Sequence, residues 1–240
     1  MASAALHYAA FTTTPAGGNP AGVVLDATGM DDAGMLALAA RLAYSESAFL
    51  WPRGEDGHYD VRYFSPEAEV PFCGHATIAS GVALAEHTGA TGRLVLHTAS
   101  GEVPVDTETD TEGRTVATLT SVAPYVEEPD PALVTGALEH LRWDPGGLDP
   151  ELPPLVAFAG ARHLIVACRT RERLADLDYD FDALKRLMLE HDLVTVDLVW
   201  REDGRTFHAR NPFPVGGVVE DPTPARRPRR SAPTCASWAP

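Results

Sequence analysis

The sequence predicts an α+β protein built as two halves of similar plan. Three observations carry that expectation. Short strand-like runs alternate with helical stripes along the chain. A stretch rich in Pro and Glu, Pro124 to Pro131, breaks the alternation near the middle. The order of elements after the break echoes the order before it.

In the first half, Ala5 to Phe11 reads as a strand, followed by a loop rich in Thr, Gly and Pro to Asn19. Ala21 to Leu25 is a second strand, stopped by Asp26 and Gly29. Asp31 or Asp32 can cap a helix from Ala33 to Leu42, where Met35, Leu36, Leu38 and Ala39 supply a buried stripe. Ser47 to Trp51 and Tyr59 to Phe64 read as strands, the latter with Val61 and Tyr63 alternating against Arg62 and Phe64. A Gly-His turn then opens a helix from Ala76 to Glu86. Leu94 to His97, Glu102 to Asp106 and Val116 to Thr120 form three further strands.

The second half repeats the grammar. Pro131 to Leu141 is helical, and Leu155 to Phe158 and His163 to Cys168 are strands around a Gly160 turn. Phe181 to Glu190 is helical, with Leu184, Leu187, Met188 and Leu189 apolar. Thr195 to Trp200 and Thr206 to Arg210 make a hairpin through Glu202-Asp203-Gly204. An offset of 148 residues superposes Arg62, Pro66 and Val70 on Arg210, Pro214 and Val218, a weak echo of duplication. The expected domains are 1–123, 124–222 of the same plan, and a tail over 223–240.

The helix after Gly74 is the sharpest structural signal. Ala76, Ile78, Ala79, Val82, Ala83 and Leu84 leave it no polar face, and a helix apolar all round is buried. A sheet curled about a central helix solves that requirement with the short strands on either side. The N-terminus of such a helix offers backbone N–H groups and the positive end of its dipole, which suits a carboxylate. Gly74 would let a ligand approach the backbone. The alternative is that Gly74 turns the chain and His75 caps the helix.

Composition bounds the function. A chain of 240 residues, 45% hydrophobic, can bury a sizeable core. The formal net charge of −15 argues against nucleic-acid and anionic-membrane partners, which require a basic face. Cys73, Cys168 and Cys235 are odd in number and form no CxxC, which fits a reduced, cytoplasmic setting. Neither a signal peptide nor a membrane span is expected. The histidines show no HExxH spacing, and no Gly-Lys-Ser/Thr follows Gly17-Gly18, so neither metal nor nucleotide cofactor is expected.

Several ordered motifs carry a resemblance. Gly18-Asn19-Pro20-Ala21-Gly22, Tyr44-Ser45-Glu46-Ser47-Ala48-Phe49, Arg62-Tyr63-Phe64-Ser65-Pro66 and Cys73-Gly74-His75-Ala76-Thr77 resemble the phenazine-biosynthesis isomerase (PhzF-like) family. Gly160-Ala161-Arg162-His163-Leu164 and Val218-Val219-Glu220-Asp221-Pro222 match its second half. The resemblance implies a diaminopimelate-epimerase-like fold of two pseudo-symmetric domains, each a curled mixed or antiparallel sheet around a central helix. It implies cofactor-free acid–base isomerisation or epimerisation of a small carboxylate-bearing metabolite, by a homodimer. On that pattern Glu46 is the proton-carrying residue, working if desolvation brings its pKa toward neutrality. His75, with Gly74 and Ala76 beside it, binds substrate. Asp221 is a hydrogen-bonding partner, and Asn19 joins them from the matched loop. Cys73 precedes Gly74 as a racemase thiol would, and reads as a small buried hydrophobe.

The chain departs from the family pattern after Pro222. Pro224, Ala225 and Arg226 stand where Thr-Gly-Ser would open a second buried helix. Pro222, Pro224, Pro228 and Pro233 forbid a helix there, so a disordered Pro- and Arg-rich tail is expected and the second domain lacks its central helix. Choosing GC-rich codons and shifting the reading frame from Thr223 yields an alanine-rich helix, so a frameshifted, shortened member is one explanation; the gene sequence tests it. On that reading Leu164, Val166, Val196 and Leu198 would be exposed or collapsed. The alternative function is then an impaired remnant that at most binds a small molecule or dimerises.

Overall fold

The computed structural model describes residues 5–14 and 17–222, which divide into two compact units meeting at Val122 and Ala123. The tail expected over 223–240 lies outside the described residues. Among those described, no helix is long and apolar enough to cross a membrane.

The first unit is an eight-stranded mixed sheet with two helices. Its elements are β1 (Leu6–Ala10), β2 (Asn19–Val24), α1 (Asp32–Leu42), β3 (Glu46–Pro52), β4 (His58–Phe64), β5 (Glu69–Val70), α2 (Gly74–Thr88), β6 (Arg93–Thr98), β7 (Gly101–Thr109) and β8 (Thr115–Leu119). The strands run β1-β2-β3-β4-β6-β7-β8, with β5 paired to β4. β2 and β3 are parallel, as are β4 and β6; the other neighbours are antiparallel. The β2–β3 pairing needs a crossover, which α1 supplies. Asp31 starts α1 by accepting the Gly34 N–H at 2.8 Å, and Ala43 ends it in the left-handed region at φ 55.

Helix α2 packs against β1 and β2 from one end of the strand order and against β7 and β8 from the other. A sheet whose two ends meet the same helix must curl around it. Ala76, Ala79, Ala83 and Leu84 are all buried, as are Thr77 and Ser80, whose hydroxyls donate to the carbonyls of Cys73 and Ala76. A Cβ on Gly81 would lie 2.7 Å from Val105 Cγ1, so glycine is what lets α2 rest on β7. The helix opens at Gly74, two residues before the expected start. Gly74 and His75 are therefore its first residues, neither a turn nor a cap.

Helix α1 covers the opposite face through Met35, Leu38 and Ala39, which pack with Val24, Phe49 and Phe64. Phe64, expected on the outer face beside Arg62, is thus buried beneath α1. Arg62 forks onto Glu69 of β5 at 2.7 and 2.6 Å and reaches Asp32 of α1 at 2.7 Å.

The second unit holds β9 (Tyr125–Glu127), α3 (Pro131–His140), β10 (Leu155–Phe158), β11 (Arg162–Cys168), α4 (Arg171–Ala175), α5 (Phe181–Glu190), β12 (Thr195–Arg201), β13 (Phe207–Phe213) and β14 (Val218–Asp221). Its sheet runs β14-β13-β12-β11-β10-β9, with β11 and β12 parallel and the rest antiparallel. β9, α4 and β14 escaped the sequence reading because elements this short show no periodicity. Arg210 of β13 forks onto Glu220 of β14 at 2.9 and 2.6 Å, as Arg62 does onto Glu69. Leu189, expected in the apolar stripe of α5, is exposed, whereas Leu184 and Met188 are buried.

The lining expected to be uncovered is corrected by one residue of phase. Leu164, Val166, Val196 and Leu198 share one face, since Leu164 pairs with Val196 and Val166 with Leu198, and all four are completely buried. The opposite face is the thinly covered one. There Leu155, Ile165 and Val199 are half-buried, and Val126 and Phe207 are 59% and 52% exposed.

Candidate active site

The parallel pairing of β2 and β3 sets Ala21 beside Glu46, so Asn19 and Glu46, the first residues of the two strands, start at the same end of the sheet. The curl of the sheet brings the N-terminus of α2 to that end. His75, the second residue of α2, is the centre of what results. Its Nδ1 lies 3.1 Å from Asn19 Nδ2 and 3.3 Å from Cys73 Sγ. Its Nε2 lies 3.5 Å from Ser45 Oγ and 3.6 Å from Glu46 Oε2. With the Asn19 amide donating to Nδ1, the neutral ring carries its proton on Nε2, toward Glu46.

All of these groups are buried. A carboxylate without bulk water gains from every nearby dipole and donor, and a low effective dielectric strengthens each such interaction. Imidazole beside carboxylate at the start of a fifteen-residue helix therefore forms a compact acid–base unit with a positive dipole end next to it. Behind it, Tyr63 Oη lies 2.6 Å from Thr77 Oγ1, and Thr77 Oγ1 donates to the Cys73 carbonyl at 2.7 Å. Burial pushes the Tyr63 phenol well above its usual range.

Of the residues expected from sequence, Glu46, His75 and Asn19 converge. Gly74 and Ala76 flank His75 in the first turn of α2. The nearest atoms to a Cβ on Gly74 would be 4.0 Å away, so neither packing nor backbone conformation requires glycine there. Asp221 ends β14 in the second unit, paired with Asn211. Two members were not assigned from sequence. Ser45 precedes Glu46 in the same motif. Cys73, read as a mere hydrophobe, instead places its sulfur against the imidazole because it is the N-cap residue of α2. Among the described residues, Glu46, Cys73 and His75 also form a group of metal-ligand types within 4.8 Å of one another. No spacing rule could show this, since the carboxylate comes from β3 and the other two groups from the start of α2.

A curled mixed sheet around a buried helix, with a second mixed sheet following, defines a diaminopimelate-epimerase-like α+β protein. Residues 8–224 match the family model of phenazine biosynthesis-like proteins. The chain belongs to that family, PhzF, whose curated members similar to it are named isomerases. It is 34% identical over 226 residues to an uncharacterized isomerase of Deinococcus radiodurans, covering 90% of this chain and 70% of that one. It is 30% identical over 213 residues to trans-2,3-dihydro-3-hydroxyanthranilate isomerase of Pseudomonas fluorescens, covering 88% and 72%. The solved structure of a predicted epimerase from Pseudomonas aeruginosa superposes with a TM-score of 0.77 at 26% identity, covering 90% and 75%.

Proposed function

We propose that this chain is a cofactor-independent isomerase or epimerase of a small carboxylate-bearing metabolite, with Glu46 carrying a proton from one carbon position to another. The observation that supports this most directly is the buried pairing of Glu46 with His75 at 3.6 Å, at the N-terminus of α2. The substrate carboxylate or carbonyl sits against the first turn of α2, where Gly74 leaves the backbone accessible. His75 donates from Nε2 to the oxygen on which charge develops, which acidifies the neighbouring C–H. Glu46 takes the proton and returns it to the new position, then stands ready again. A positioned acid–base group of this kind contributes about 10²- to 10⁴-fold to rate. The working assembly is a homodimer.

The Pseudomonas fluorescens relative takes its name from a dihydroaromatic carboxylate, and that compound is the first probe. Incubated in deuterium oxide with this protein, it should gain solvent deuterium at carbon, and Glu46→Gln should abolish the gain while leaving the circular dichroism unchanged. A panel of small carboxylates that all stay unlabelled, or label equally well with Glu46→Gln, would remove Glu46 from the role.

A further inference from the structure

We propose that Glu46, Cys73 and His75 form a binding site for a zinc-type cation, which competes with the proton chemistry of the same residues. The chemistry of the donors is the first argument. A thiolate, an imidazole nitrogen and a carboxylate oxygen make a ligand set for a borderline-soft, four-coordinate ion and a poor one for magnesium or calcium.

The geometry is the second. Metal–ligand bonds of about 2.0 to 2.3 Å in a tetrahedron set neighbouring donor atoms about 3.3 to 3.6 Å apart. His75 Nε2 lies 3.6 Å from Glu46 Oε2 and 3.8 Å from Cys73 Sγ. The Glu46–His75 edge of such a tetrahedron is in place, the three donor atoms lie within 4.8 Å of one another, and turning Cys73 about χ1 brings its sulfur, 3.3 Å from Nδ1, round to the Nε2 side to close the face. Burial on all sides favours a multiply bonded ion over a hydrated one, and the fourth corner remains for water or a substrate oxygen.

Asn19 completes the arrangement. A ligating imidazole needs its metal-side nitrogen deprotonated and its other N–H donated to a fixed acceptor. Turning the Asn19 amide by half a rotation presents Oδ1 to Nδ1–H across the same 3.1 Å and leaves Nε2 with a lone pair for the ion. One amide thus serves two ring tautomers: Nδ2 toward the ring holds the acid–base form, and Oδ1 toward it holds the metal form. Binding expels the thiol proton, and the Nε2 proton moves by way of solvent to Nδ1. The sequence reading, which expected no metal, had only spacing to work from.

Cobalt(II) and cadmium(II) are the probes, added to reduced, chelator-treated protein carrying Cys168→Ala and Cys235→Ala, so that Cys73 is the one thiol. One equivalent of cobalt should give visible bands of tetrahedral type together with a near-ultraviolet thiolate-to-metal band. Cys73→Ser, which keeps the side-chain volume, should lose the thiolate band with its thermal transition in place. Asn19→Ala should weaken binding about 10- to 100-fold, as outer-shell partners of metal-bound histidine do. A six-coordinate cobalt spectrum, or a thiolate band that survives Cys73→Ser, overturns the site. Competition with turnover rests on the function proposed above and is read separately: zinc should inhibit deuterium exchange, and a chelator should restore it. Tetrahedral cobalt in a protein that exchanges no proton would keep the metal site and remove the isomerase reading. Exchange without cobalt binding would do the reverse.

Discussion

The imidazole of His75 and the carboxylate of Glu46 face each other at 3.6 Å with 5% and 6% of their side-chain surfaces exposed. Two titratable groups so placed do not act independently, because each fixes where the other's proton can go. Their substitutions should therefore be strongly non-additive. His75→Ala should lower kcat/KM about 10²- to 10⁴-fold. The Glu46→Gln/His75→Ala double variant should be little worse than the poorer single variant. Multiplicative losses in steady-state kinetics would show two independent contributions instead.

Gly74 separates structural from functional demand. A methyl group there meets nothing nearer than 4.0 Å, and the backbone is ordinary. Gly74→Ala should leave the melting temperature unchanged or slightly raised, since alanine is favoured over glycine in a helix by up to about 1 kcal/mol. KM should rise, because the methyl group stands where substrate meets the first turn of α2. Unchanged kinetics would remove the ligand from that place.

Gly81 predicts the opposite pattern. Its added methyl would meet Val105 Cγ1 at 2.7 Å, so Gly81→Ala should cost about 1 to 3 kcal/mol by overpacking. Adding Val105→Ala should recover part of that loss. Denaturant titration of the two variants checks both statements.

Tyr63 gives a dependence on pH. Burial raises its phenol pKa in the folded state, so the folded protein holds a proton that the unfolded chain releases near its ordinary value of about 10. The stability this contributes is fully present below that value and falls as pH rises above it. Tyr179 behaves likewise, with burial as the main cause and Glu220 second. Spectrophotometric titration should show both phenols ionising only with alkaline unfolding, and Tyr63→Phe should flatten the alkaline loss of stability.

How far the sequence could be read depended on where polarity marks phase. The run of small apolar residues from Ala76 to Leu84 announces a helix with no outward face, and α2 is buried as that demands. Glu46, His75 and Asn19 stood out through their motifs, and the curl of one sheet brings them together. In β11, by contrast, Leu164 to Cys168 are all apolar, as central parallel strands are. Nothing in that stretch says which alternate residues face inward, and the lining was assigned to the wrong side. Cys73 was missed for a different reason: the direction of its sulfur is set by the helix start, and a start placed two residues late hides it.

Asn19 is carried by a hairpin whose outer strand, β1, has a single neighbour among the described residues, and it follows Gly18, where a Cβ would lie 2.1 Å from the Ala10 carbonyl oxygen. Edge hairpins open at lower free energy than the strands inside a sheet. Warming will thus detach the amide that orients the imidazole while the rest of the barrel wall holds. Heat inactivation should set in ahead of melting, and it should reverse on cooling.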